Sequence, residues 1–60
     1  MITFQVKDEH SLVLAETVYY YHMREEEIEL EIKDLRKKVN RCQLIIVSDK
    51  HGVPFRVVFF

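Results

Sequence analysis

The sequence predicts an α+β fold, a single domain over residues 1–60 in which one long helix packs on one face of a small, antiparallel-rich sheet. Three observations carry this. Residues 2–7 alternate strictly between apolar and polar side chains. An apolar stripe with helical spacing crosses the middle of the chain. Two β-branched and aromatic runs near the C-terminus flank a four-residue turn.

In the first strand, Ile2, Phe4 and Val6 alternate with Thr3, Gln5 and Lys7, the period-2 pattern of a sheet with one buried face. Asp8-Glu9-His10-Ser11 then breaks the pattern, and Asp8 or Ser11 suits the start of a helix. The positions Leu14, Val18, Tyr21, Glu25, Ile28, Ile32, Leu35 and Val39 follow at spacings of four and three, a helical seam that predicts a helix over 11–39. Such a helix would be roughly 43 Å long, against about 17–20 Å for a typical strand, so it overhangs its sheet.

A competing reading makes 12–22 a second strand and gives the order ββαββ. Val, Thr and three tyrosines favour strands, and a helix apolar on every side needs burial on every side. The helix over 24–39 holds under both readings. Its acidic start (Glu25, Glu26, Glu27, Glu29, Glu31) and basic end (Lys33, Arg36, Lys37, Lys38, Arg41) complement the helix dipole. Asn40 is the expected left-handed terminator. Strands over 43–48 and 53–59 form a hairpin around Asp49-Lys50-His51-Gly52, and no internal repeat is evident.

Composition narrows the function. Nine basic and ten acidic residues give a net charge of −1, which excludes a nucleic-acid binder acting by bulk charge. No apolar run approaches the roughly 20 residues of a membrane span. With one cysteine there is no internal disulfide, and no signal peptide is evident, so a cytoplasmic location is expected. Cys42, His10, His22 and His51 fall into no CxxC or HxxxH spacing, and His22 with Glu26 supplies two ligands where a site needs more. No catalytic residue, metal or cofactor is expected, and the chain reads as non-enzymatic.

Both faces of the C-terminal strands are apolar over part of their length, and one helix covers one face. The other face therefore needs a partner, most simply a second copy. Ile45, Val47, Val58 and Phe60 are the expected homodimer interface. Tyr19, Tyr20 and Tyr21 cannot all face one core, and with Glu25, Glu26, Glu29 and Leu30 they make the expected partner-binding surface. The resulting expectation is a small regulator or inhibitor that binds another protein. The alternative is a dimeric nucleic-acid binder using Lys33, Arg36, Lys37 and Arg41. For each cluster the plainer reading is structural: core tyrosines, and solvated charges that compensate the dipole.

Overall fold

The computed structural model describes residues 1–60. The chain forms β1 (Ile2–Lys7), β2 (Val13–Tyr19), α1 (Glu25–Lys38), β3 (Leu44–Ser48) and β4 (Pro54–Phe59). All pairings are antiparallel, in the order β2-β1-β3-β4. Strands β2 and β3 thus run parallel on either side of β1, joined by the helix.

The expected helix over 11–39 is corrected by this order. Its first part is β2, and the helix begins at Glu25. Pairing with β1 gives Val13–Tyr19 its backbone partners and packs Ala15 and Tyr19 against the core, while Leu12, Val13, Tyr20 and Tyr21 stay exposed. The backbone N–H of Arg24 donates to the Glu27 carboxylate at 3.0 Å and fixes the entry to the helix. At the exit, the Leu35 carbonyl accepts from Val39 N–H, and the left-handed residue is Arg41 (φ 66°), in place of the expected Asn40.

The lower half of the predicted stripe survives. Ile28, Ile32 and Leu35 press on Ile2, Phe4, Val6, Ile45 and Val47, with Met23 closing one end. Phe4, Val6, Ile45 and Val47 are fully enclosed. The expected interface set is therefore corrected too. Ile45 and Val47 lie under the helix, Val58 packs against the same core, and Phe60 sits beneath the Arg36 guanidinium at 4.3 Å. The helix covers the face those residues define, and the uncovered face is the opposite one.

The two hairpins are built alike, an internal repeat that the sequence reading does not anticipate. In β1–β2, Val6 faces Ala15 and Lys7 faces Val13; in β3–β4, Val47 faces Arg56 and Ser48 faces Pro54. Each hairpin thus skips one residue, Leu14 or Phe55, at the same place. Their turns match as well. The Asp8 carboxylate accepts from His10 and Leu12 N–H at 2.9 and 3.0 Å, and Asp49 accepts from His51 and Val53 N–H at the same distances. A left-handed residue completes each turn, Ser11 (φ 63°) and Gly52 (φ 78°).

Candidate protein-binding surfaces

The uncovered sheet face divides in two. Register places Thr3, Gln5, Lys7 and Glu16 on its β1–β2 half together with Val13 and Val18, and there the Gln5 amide donates to the Glu16 carboxylate at 2.7 Å. The β3–β4 half carries Leu44, Ile46, Val57 and Phe59. Val57 is 47% and Phe59 76% exposed, so this half is an apolar strip open to water. Phe55 does not join it. The skipped residue breaks the alternation, and Phe55 borders the crevice lined by Met1, Ile2 and Met23.

The expected partner-binding residues separate into three groups. Tyr19 packs edge-on against Phe4 and Tyr21, at 5.8 and 5.7 Å between ring centroids, so it belongs largely to the core. The Glu31 carboxylate beside its phenol, with burial, pushes its pKa up to about 12. Glu25 is committed to an ion pair with Arg56 on β4, and Glu29 lies on the other flank of the helix, beside β4. Tyr20 is highly exposed but outside the grooves of the helix.

Tyr21 and Leu30 do come together. These two exposed side chains, from the loop after β2 and from α1, border adjoining shallow grooves of about 350 and 410 Å³. Glu26, Glu27, Glu31 and Asp34 surround them. The sequence already groups Glu27 and Glu31 with Glu26 in one acidic run, though outside the expected partner-binding set, and gives no place in it to Asp34. Their signal is positional, since residues 27, 30, 31 and 34 share one helix flank.

The basic cluster disperses. Lys38 pairs with Asp34 at 2.8 Å, Arg36 lies over Phe60, and Arg41 turns toward the Asp8–His10 loop. Lys33 and Arg36 share a groove with Glu29 beside β4. Lys37 is exposed. Burial pushes the Cys42 thiol pKa up, which disfavours the thiolate a nucleophile needs. No three His, Cys, Asp or Glu side chains gather as a metal site. No helix is long and apolar enough to cross a membrane. No family model, curated protein or solved structure matches the chain.

Proposed function

We propose that this protein is a small, non-enzymatic regulator or inhibitor that acts as a homodimer by binding another protein. The observation that carries the binding role is the Tyr21–Leu30 pair, exposed and apolar, set among four carboxylates. An exposed tyrosine beside an aliphatic side chain, rimmed by charge, has the apolar centre and polar rim of a protein interface, with tyrosine the residue type suited to anchor it. The acidic rim selects a partner surface bearing lysine or arginine and speeds its approach. The open strip supports the dimer, because its exposed members Val57 and Phe59, beside the half-buried Leu44 and Ile46, forgo part of the about 1.5–3 kcal/mol that full burial of each would contribute.

Two measurements test this. Sedimentation equilibrium at tens of micromolar should give a dimer, and a monomer there overturns the dimer. Affinity capture from the native host should recover a protein that Leu30→Ala and Tyr21→Ala lose together while both variants keep their circular dichroism. Capture indifferent to both substitutions removes this interface. Steeply salt-dependent binding to nucleic acid, relieved by Lys37→Ala and Arg41→Ala, would favour the alternative reading instead.

A further inference from the structure

We infer that the free edge of β4 is a second docking site, which takes an extended acidic segment of a partner protein as a fifth strand. The Phe60 N–H donates to the Gln43 carbonyl at 3.0 Å, and Ile45 faces Val58. In an antiparallel ladder this turns the amides of Val58 and Phe60 toward β3 and those of Val57 and Phe59 outward. Strand β4 ends the sheet, so these outward groups have no partner strand. Pro54 and the skipped Phe55 block the first half of the edge. The open part is short and sits beside Val57–Phe60.

A groove of about 340 Å³ runs along this edge between α1 and β4. Ile32, Val58 and Phe60 form its apolar floor, and Lys33, Arg36 and Arg56 bring positive charge to it. Arg56 is neutralised by Glu25, but neither Lys33 nor Arg36 has a carboxylate within ion-pair distance. Glu29 is the one acidic group on the groove wall.

Edge and groove together specify the occupant. A strand added to β4 would place alternate side chains on the helix side, opposite Val58 and Phe60 and next to Lys33 and Arg36. The intervening side chains would lie beside Val57 and Phe59 on the open face. Charge complementarity calls for Asp or Glu at the first set, and the exposed apolar strip calls for aliphatic or aromatic residues at the second. The fitting segment therefore alternates acidic and apolar residues. It binds on the opposite flank of α1 from the Tyr21–Leu30 surface, so one can fail without the other.

The test is an amide NMR titration with acetylated, amidated peptides of five residues. One set alternates Glu or Asp with Val, Leu or Phe, and a control set has Lys in place of the acids. The expected result is saturable binding of acidic members, with the largest shifts and slowed hydrogen exchange at Val57 and Phe59. Lys33→Glu and Arg36→Gln should each weaken binding by about tenfold, and both side chains are exposed. Absence of binding by every acidic member at millimolar concentration overturns the proposal. So does equal binding of the lysine set, or shifts confined to the open face or to Tyr21 and Leu30. Self-association abolished by Lys33→Glu and equally by Glu31→Lys would identify a second copy as the occupant and also overturn it.

Discussion

Asp8 and Asp49 each accept two backbone N–H groups, and those bonds hold both carboxyls below the usual carboxylate range. Because the folded state prefers the charged form, each contributes stability above the unfolded value of 3.8 and loses it as pH falls through the lower folded value. Acid unfolding followed by circular dichroism should therefore steepen below pH about 4. Asp8→Ala with Asp49→Ala should flatten that slope. Tyr19 behaves in the opposite sense. Its raised pKa keeps the phenol protonated in the folded state, so its contribution is complete below pH 10 and fades toward about 12. Absorbance titration should show one tyrosine with a midpoint near 12, and Glu31→Gln should bring it down. The second turn was legible in the sequence, where Asp49 precedes a glycine suited to positive φ. Its twin at Asp8 was not, because Ser11 fills the left-handed position and Asp-Glu-His-Ser also resembles a helix start.

At the scale of elements, β1 is the strand on which the sheet depends. Phe4 is fully buried and touches Tyr19 edge-on. Phe4→Ala should cost about 3–5 kcal/mol, comparable with the total stability of so small a domain. Its amide spectrum should then collapse toward random-coil dispersion. Arg41→Gly should act in the other direction, because a left-handed backbone costs an L-residue about 1–2 kcal/mol that glycine avoids; urea denaturation would read the gain. Strand β1, the 25–38 helix and the C-terminal hairpin follow from local periodicity, and each stands where its pattern puts it. Strand β2 does not. Leu14, Val18 and Tyr21 fit a helical stripe as well as a strand, and pairing with β1, a non-local contact, decides between them. Strict alternation along 53–59 would put Phe55 on the face of Val57 and Phe59, and a skipped residue, which alternation cannot anticipate, takes it off that face.

At the scale of the whole molecule, the surplus of apolar residues was legible, but the side it faces was not. The helix took the face with Ile45 and Val47 and left Leu44, Ile46, Val57 and Phe59 outside. Val57→Lys should therefore convert the proposed dimer to a monomer in sedimentation equilibrium while leaving the helical signal intact, since no core contact is lost. The candidate binding surface is partly legible: Tyr21, Leu30 and the acidic run with Glu26, Glu27 and Glu31 are, whereas Asp34 joins it, and Glu25 and Glu29 leave it, only once the flank of α1 is known.

The central position of β1 has a consequence for biosynthesis. Its second neighbour, β3, is encoded some forty residues later, as the pairing of Phe4 with Val47 shows. On the ribosome the first hairpin emerges with Ile2, Phe4 and Val6 bare; α1 can cover them next, but the second edge of β1 stays unpaired until the last third of the chain has left the exit tunnel. Synthesis thus passes through an interval in which a sticky two-stranded ribbon waits for the halves of its own core to arrive.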